Sequence, residues 1–338
     1  MKEKALIITL DRKVIDELNK EDISLERDSV NLRKYYQPET YNPNLATIVS
    51  LLQNMFRKFS QEDIAFYTPQ TILEGEGAFE FRDGYFQKTD PLISADALLI
   101  FSVDSRSSEF GINYIEKQYE SYGKLSSRIG KFMNPLNSKF LLDKKRLYDV
   151  GDELLPRMYS SKNWDEVDKS VQEQGKVVLK HRMGAEGDQV HLLEKNKSYE
   201  DIKLKVGESL GEYILQDYID IQQEKRLIIF GNEMVAARIV DQRNFPWDDQ
   251  SRRKDGYKSR SYNPSEKEKR LALELHNDCG LDYSAVDFVE TPKGSYLLEL
   301  NGTCPGLVAA AYPDNDLIYN VGEEFANFVH NSVCKEVV

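Results

Sequence analysis

The sequence has few cysteines and histidines and no long apolar run. Each of these shortages excludes a class to which the protein could otherwise belong. Its 338 residues include three cysteines, which show neither CxxC spacing nor a zinc-ligand pattern. The four histidines do not cluster as a triad or a metal site. No stretch approaches the roughly 18 apolar residues of a membrane span, and the apolar run at residues 5–10 is too short for a signal peptide. We therefore expect a cytoplasmic protein that does not cross a membrane.

The chain also lacks an excess of basic residues. It has 57 acidic and 45 basic residues, and its net charge is -12. This balance argues against a general nucleic-acid-binding protein, which needs a basic surface, but it leaves room for a local basic pocket that binds phosphates. The length exceeds that of one simple core and predicts two or three linked lobes.

The apolar segments before residue 133 predict an N-terminal α/β domain at residues 1–132. Ala5–Leu10 and Ala95–Val103 are typical of buried strands, and Glu80–Lys88 predicts a hairpin with a turn at Asp83-Gly84. Further along, Ser265 and Glu268 form a capping-box pair at the start of a predicted helix. A closing helix is predicted at Asp316–Asn331.

Three oxygen-bearing side chains stand on two predicted strands near the C-terminus. In the stretch YLLELNG, strand alternation places Glu299 and Asn301 on one face, opposite Leu298 and Leu300. Hairpin pairing can bring Asp287 beside Glu299. Two such carboxylates repel and are costly to bury, and a divalent cation such as magnesium resolves that cost. The alternative is a sheet with one wet face, in which the two carboxylates never meet.

A lysine and two glycines mark a second candidate site. The segment KVVLKHRMGAEGDQVHLL predicts a strand that ends at Lys180, a turn with Gly184 and Gly187, and a second strand. Glycines let backbone amides approach a ligand closely, and a lysine beside them suits phosphate oxygens. An ordinary hairpin explains the same glycines.

The segment LQDYIDIQQEKR joins two further predicted strands. A strand edge here offers backbone groups to a flat heterocycle, and Glu224 can accept hydrogen bonds from ribose hydroxyls. Arg226 keeps its charge and would serve a phosphate or a carboxylate on an inward face. The alternative is that both are solvent-facing charges at a strand start.

Taken in order, these segments resemble the ATP-grasp enzymes. A lysine in LLDKKRL, then VVLK with its glycine loop, LQDYI…EKR and VDF…LLELNG are similar to the carboxylate–amine ligase branch. That branch includes glutathione synthetase and the ligases that add glutamate to ribosomal protein. The stretch YSAVDFVETPKGSYLLELNG also resembles ATP-grasp ligases that macrocyclise ribosomal peptides. The resemblance implies an ATP-grasp domain at residues 133–338, with nucleotide between two antiparallel sheets and a smaller lid lobe at about residues 152–215.

The same resemblance implies a role for each candidate residue. Those implied for the nucleotide phosphates are Lys180, Lys144 with Lys145 as its alternative, Gly184 and Gly187. Those implied for adenine and ribose are Gln216, Asp217, Tyr218, Ile219 and Glu224. Those implied to face the transferred phosphate and the substrate carboxylate are Arg226 and either Arg238 or Arg243. Those implied to hold two magnesium ions, or manganese in their place, are Asp287, Glu299 and Asn301.

The implied activity is an ADP-forming ligase that joins a carboxylate to an amine through an acyl phosphate, with ATP and magnesium. The acid would be a small molecule, a peptide or a protein; the sequence names neither substrate, and a homo-oligomer stays open. The alternatives are an ATP-grasp kinase acting on a hydroxyl and a non-catalytic nucleotide-binding protein. The polar segment 241–263 is interpreted as a lid or a substrate clamp, or else as a mobile surface loop. Within it, Arg252, Arg253 and Arg260 are candidates for binding an acidic substrate.

Overall fold

In the computed structural model, the described residues form three larger sheets, one two-stranded ribbon and the helices that pack on them. The described residues are 4–20, 31–37, 42–74, 77–89, 94–101, 117, 120–134, 143–149, 154–182, 189–241, 258–311, 314 and 316–334. Within these ranges, no helix combines the length and the apolar character needed to cross a bilayer.

The N-terminal lobe is built on a six-stranded sheet. Its strands are β1 Lys4–Thr9, β2 Ile64–Tyr67, β3 Phe79–Arg82, β4 Tyr85–Lys88, β5 Ala95–Leu99 and β6 Ile129–Met133. They lie in the order β4-β3-β2-β1-β5-β6, and β2, β1, β5 and β6 are parallel. Helices with described bounds in this lobe include α1 Arg12–Lys20, α2 Pro43–Lys58 and α3 Pro69–Glu74, and residues 120–124 are also helical. The predicted hairpin is present as β3–β4, and both turn residues, Asp83 and Gly84, take positive φ as such turns require.

A small lobe follows, with a four-stranded antiparallel sheet. Its strands are β7 Met158–Tyr159, β8 Lys176–His181, β9 Val190–Glu194 and β10 Tyr213–Asp217, in the order β7-β10-β8-β9. Helices α4 Trp164–Gln174 and α5 Glu200–Val206 cover one face, where Leu179 and Leu215 are buried. Strand alternation therefore places Lys180 and Gln216 on the opposite face.

The large sheet has five antiparallel strands. They are β11 Gln223–Phe230, β12 Glu233–Asp241, β13 Lys258–Ser261, β14 Tyr283–Thr291 and β15 Gly294–Asn301, in the order β13-β12-β11-β14-β15. Helix α6 Glu266–Asp278 packs on one face, and it begins with the predicted capping box of Ser265 and Glu268. The chain continues through the ribbon β16 Val308–Ala311 and β17 Asp316–Asn320 to helix α7 Gly322–Cys334.

The helix predicted at Asp316–Asn331 is wrong in its first third. Residues 316–320 form β17 and pair with β16, and the helix starts only at Gly322. Leu317, Ile318 and Tyr319 belong to types that fit a pleated strand, and an available partner strand outweighs the weak local preference for a helix. The Asn320 side chain then accepts a hydrogen bond from the Gly322 amide at 3.1 Å, at the start of the helix.

One apolar core joins the N-terminal lobe to the large sheet. Leu6 and Phe66 of the N-terminal sheet belong to the same buried cluster as Ile228 and Tyr283 of the large sheet and Phe325 of α7. The Tyr283 hydroxyl also donates to the Ile100 carbonyl at 2.6 Å. The face of the large sheet opposite α6 is therefore covered by the N-terminal lobe at one end of its strands.

Asn134 fixes the point at which the chain leaves the N-terminal lobe. It is fully buried and has a φ of 67°. Its Oδ1 accepts hydrogen bonds from the amides of Asp282 and Tyr283 at 2.7 and 3.2 Å. Its Nδ2 donates to the carbonyls of Tyr283, at 3.1 Å, and Gly302. One side chain thus ties the start of β14 to the chain just after β15.

Candidate active site

The three predicted oxygen ligands lie together on the large sheet. Asp287 of β14 is paired directly with Glu299 of β15, so their side chains share a face. The Asn301 amide nitrogen donates to Asp287 Oδ2 at 3.0 Å. Asp287 is 2% exposed, which makes it a buried carboxylate that needs compensation.

That compensation comes from Arg226, which faces Asp287 from β11. Arg226 Nε donates to Asp287 Oδ1 at 2.7 Å and Nη2 donates to Oδ2 at 2.6 Å. Burial alone would lower the pKa of the guanidinium, but the Asp287 ion pair outweighs it, so the pKa of Arg226 lies well above its usual value. Two parallel bonds of this kind fix orientation as well as charge.

Positively charged side chains of the chain therefore balance the two carboxylates. Arg226 neutralises Asp287, and Lys144 Nζ lies 3.7 Å from Glu299 Oε1, so the chain supplies its own cations. Charge repulsion alone does not require a metal here. The donor set of two carboxylates and one amide still fits magnesium, which keeps water and substrate phosphates as its other ligands. No group of three or more His, Cys, Asp or Glu side chains that could hold a metal occurs among the described residues.

The expectation that Leu298 faces away from Glu299 is wrong. A β-bulge on β15, opposite the step from Asp287 to Phe288 of β14, leaves Leu298 without a partner in the register. Leu298 packs with Val289, two residues after Asp287 and on its face of the sheet, whereas Leu300 packs on the α6 side as expected. A bulge adds one residue to a strand and breaks simple alternation.

Lys144, and not Lys145, lies near the Glu299 carboxylate. Both begin a short 3-10 helix, Lys144–Asp149, but the Lys145 side chain is exposed. Lys144 Nζ approaches Glu299, as described above, and also interacts electrostatically with Lys180 of the small lobe. The structure thus separates the two lysines that the sequence left as alternatives.

Lys180 is buried on the inner face of the small lobe, with 8% exposure. Burial first, and the charge of Lys144 second, lower its pKa to about 7, while Glu299 acts in the opposite direction. Lys180 is therefore near its point of half-protonation at neutral pH. An anion placed between Lys144 and Lys180 would favour the charged form.

The segment predicted for adenine presents its side chains to both faces of the small sheet. Gln216 is 3% exposed on the Lys180 face, and its Oε1 has no hydrogen-bond partner within the described part of the chain. Asp217 lies on the opposite face and accepts a hydrogen bond from the Tyr159 hydroxyl, and its amide donates to the Arg157 carbonyl at 3.0 Å, so its side chain points away from the site. The Tyr218 ring lies under Lys176 Nζ at 5.3 Å. Ile219 packs with Val289 in an apolar cluster beside Asp287.

The remaining predicted residues fall into three groups: some share the Asp287 face, one points to the other side of the sheet, and the others lie outside the described ranges. Arg238 is paired with Arg226, and Glu224 precedes Arg226 by two positions, so all three share the Asp287 face. Arg260 is paired with Ile239, between two residues of that face, and therefore points to the other side of the sheet. The predicted residues that lie outside the described ranges are Gly184, Gly187, Arg243, Arg252 and Arg253.

Sequence reasoning missed two residues that surround Arg226. Gly306 has a φ of 77°, and a Cβ built on it would lie 3.2 Å from Arg226 Nη1. Tyr319 of β17 interacts electrostatically with the same guanidinium. No local pattern in the sequence connects either residue with Arg226.

A third omission lies at the small lobe. Arg182, just after β8, donates through Nε to Asp143 Oδ1 at 2.9 Å and through Nη2 to Asp143 Oδ2. The Arg182 carbonyl accepts a hydrogen bond from the Lys144 amide at 3.0 Å. The partners stand on segments about 40 residues apart, and no local pattern pairs them.

Comparison with solved structures defines the fold as ATP-grasp. D-cycloserine synthetase DcsG has a TM-score of 0.62 and 14% identity, and the match covers 97% of this chain and 99% of that one. A RiPP-associated ATP-grasp ligase of Chryseobacterium gregarium, solved with ADP and a leader and core peptide, has a TM-score of 0.57 and 14% identity. That match covers 99% of this chain and 98% of that one. At such identity the likeness shows the fold alone, and it confirms the predicted fold class.

The family of RimK-like ATP-grasp domains matches residues 139–315, just over half of the 338 residues. The chain belongs to this family, and the predicted resemblance is confirmed. A probable alpha-L-glutamate ligase of Xylella fastidiosa (strain M12) is 26% identical over 165 residues, which cover 47% of this chain and 54% of the relative. The chain spans about half the length of the curated relatives it matches.

Proposed function

We propose that the protein is an ATP-dependent carboxylate–amine ligase, which forms an amide bond through an acyl phosphate and releases ADP and phosphate. The observation that carries the proposal is the meeting of Lys144 and Lys180 with Glu299, beside Asp287, where the two antiparallel sheets face each other. Cations and carboxylates at one point suit a nucleotide polyphosphate that arrives with a divalent metal. Membership of the RimK-like ATP-grasp family supports the same reading.

The proposed nucleotide extends from the two lysines along the inner face of the small sheet. Its phosphates lie against Lys144 and Lys180, where negative charge is most favourable. The base lies beside Gln216, whose Oε1 has no partner among the described residues and can accept a hydrogen bond from an exocyclic amine. The apolar cluster that contains Ile219 supplies a flat contact for the ring, and Glu224 takes the ribose.

Magnesium is the proposed metal, with two ions expected and manganese as a substitute. Asp287, Glu299 and Asn301 would hold it through their side-chain oxygens, together with water and phosphate oxygens. When bound, magnesium neutralises the charge of the phosphates and favours attack at the terminal phosphorus.

The chain's own residues would bind and orient the reactants. Arg226 and Arg238 face the same side as Asp287 and would hold the substrate carboxylate and the transferred phosphate. A carboxylate oxygen forms a bond to the γ-phosphorus, while the bond from that phosphorus to the β–γ bridging oxygen breaks and ADP leaves. The amine nitrogen then attacks the acyl carbon, phosphate departs with the bonding electron pair, and the amine proton passes to water. No protein nucleophile is needed, so catalysis is mainly positioning and charge stabilisation.

The proposed acid is a small molecule, a peptide or a protein carboxylate. A peptide is supported by the C. gregarium ligase, which was solved with a leader and core peptide. We place the reaction in the cytoplasm, since three cysteines scattered along the sequence, without CxxC spacing, are typical of a reducing compartment. A homo-oligomer is compatible with this reading and is not required by it.

The experiment is a screen of amino acids and peptides for magnesium-dependent ADP formation, with hydroxylamine added to trap the acyl phosphate. A ligase yields a hydroxamate with the activating acid. ADP with a phosphorylated hydroxyl and no hydroxamate would indicate a kinase instead, and a protein that binds ADP but forms none with any acid would be a binding protein. Glu299→Gln should abolish ADP formation, whereas Glu274→Gln on the exposed side of α6 should not.

A further inference from the structure

Asp143 and Arg182 form a second bidentate ion pair, at the entrance to the small lobe. Besides both contacts to Arg182, Asp143 Oδ1 accepts a hydrogen bond from the Lys145 amide at 3.0 Å. Its side chain is 9% exposed and that of Arg182 is 17% exposed. A buried, doubly bonded pair of this kind fixes geometry far better than a surface salt bridge does.

The pair joins the two lobes that enclose the proposed nucleotide. The 3-10 helix that follows Asp143 contacts β15, and its Leu147 is buried in the core under the large sheet. Arg182 belongs to the small lobe, directly after β8, and its amide donates to the Glu212 carbonyl at 2.9 Å. The ion pair therefore connects the two lobes. Asp143 lies on a segment fixed to the large sheet, and Arg182 lies at the end of a strand of the small sheet.

Each member of the pair stands close in sequence to one of the two lysines proposed to bind phosphates. Lys144 follows Asp143 directly, and Lys180 precedes Arg182 by two positions. The lysines repel each other, since the charge of Lys144 contributes to lowering the pKa of Lys180. Repulsion would drive the lobes apart in the absence of nucleotide, and the Asp143–Arg182 pair opposes it, together with the hydrogen bond from the Lys144 amide to the Arg182 carbonyl.

We infer that Asp143 and Arg182 are positioning residues, which hold Lys144 and Lys180 at the spacing that a nucleotide diphosphate bridges. The inference rests on the proposed function, because it assumes that the two lysines bind phosphates. Neither residue touches the nucleotide; each acts by placing a lysine.

The test measures the dissociation constant of magnesium-ADP by titration calorimetry on the full chain. Arg182→Gln and Asp143→Asn should each weaken binding by about tenfold or more, as loss of a supporting contact does in other sites. Asp143→Asn keeps a side-chain oxygen for the Lys145 amide, so this variant removes the charge and retains that hydrogen bond at the start of the 3-10 helix. The double variant should bind no more weakly than either single one, because both changes break one interaction.

Asp168→Asn is the matched control, since it removes the Lys203–Asp168 pair from the outer side of the same small lobe. It should leave ADP binding unchanged, and equal weakening by this variant would overturn the inference by showing a general loss of lobe stability. Arg182→Lys keeps the charge without the planar fork and should fall between wild type and Arg182→Gln. Wild-type affinity in Arg182→Gln, or additive effects in the double variant, would also overturn the inference. Absence of ADP binding in the wild type would instead refute the proposed function.

Discussion

Arg226 and Asp287 contact each other through two hydrogen bonds of 2.7 and 2.6 Å, with Asp287 almost fully removed from solvent. Arg226→Met would leave that carboxylate buried and unpaired. We expect a loss of about 3–5 kcal/mol in the free energy of unfolding, measured by urea denaturation.

Arg12→Met is the control, because it breaks the exposed pair with Asp16 and should cost less than about 1 kcal/mol. The double variant Arg226→Met/Asp287→Leu should recover part of the loss, since it leaves no buried charge. A loss in Arg226→Met no larger than that in Arg12→Met would contradict the importance of this ion pair.

The close approach of Gly306 to Arg226 gives a second prediction. An alanine at 306 meets both an unfavourable positive φ and the guanidinium, whereas Gly280 has a positive φ with open space around it. Gly280→Ala should cost about 1 kcal/mol in unfolding free energy for its backbone conformation. Gly306→Ala should cost about 1–3 kcal/mol more, because Arg226 must move. Equal losses in the two variants would show that Arg226 moves aside with no cost in unfolding free energy.

The two lysines of the 3-10 helix offer a matched pair. Lys144→Met should weaken magnesium-ADP binding by roughly tenfold or more, because a charged hydrogen-bond donor to phosphate is lost. Lys145→Met removes the same charge one position away, on an exposed side chain, and should have little effect. Fluorescence titration with a labelled ADP would distinguish them, and the reverse order would assign the phosphate contact to Lys145.

The lowered pKa of Lys180 leads us to expect a specific pH dependence of nucleotide binding. Its pKa in the free protein is lowered to about 7, mainly by burial, so it loses its proton as the pH rises above neutrality. Binding of phosphates favours the protonated form, and ADP binding should take up a proton and weaken between about pH 6 and pH 9. Calorimetry in buffers of different ionisation enthalpy measures the uptake. Lys180→Arg, which stays charged, should show a flatter profile; an unchanged profile would assign the proton to another group.

Local patterns in the sequence predicted much of the fold. The capping box of Ser265 and the Asp83-Gly84 turn were correct because both signals reside in a few adjacent residues. The strand at residues 316–320 was mistaken for a helix because its identity depends on a partner in another segment. The strand at residues 258–261 was likewise assigned to a loop, and its pairing to β12 could not be read from its polar sequence.

In the candidate site as well, contacts between neighbouring segments were predictable and contacts between distant segments were not. Pairing of Asp287 with Glu299 was predictable, because a hairpin brings neighbours in sequence together. The cations that balance these two carboxylates were not predictable, since Arg226 and Lys144 come from distant segments. The Leu298 bulge was also hidden, because a one-residue insertion leaves no mark in an apolar run.

The buried cluster shared by β1 and α7 also affects the order in which the molecule can be built. Helix α7 packs on α2, so residues near opposite ends of the chain complete one core. During synthesis, the N-terminal lobe leaves the ribosome before its partner surface, and the Phe101 ring, whose centroid lies 5.8 Å from that of Phe325, stays partly uncovered until residues 322–334 are made. Forming contacts between such distant segments is slow, and we therefore expect chaperones to bind the nascent chain.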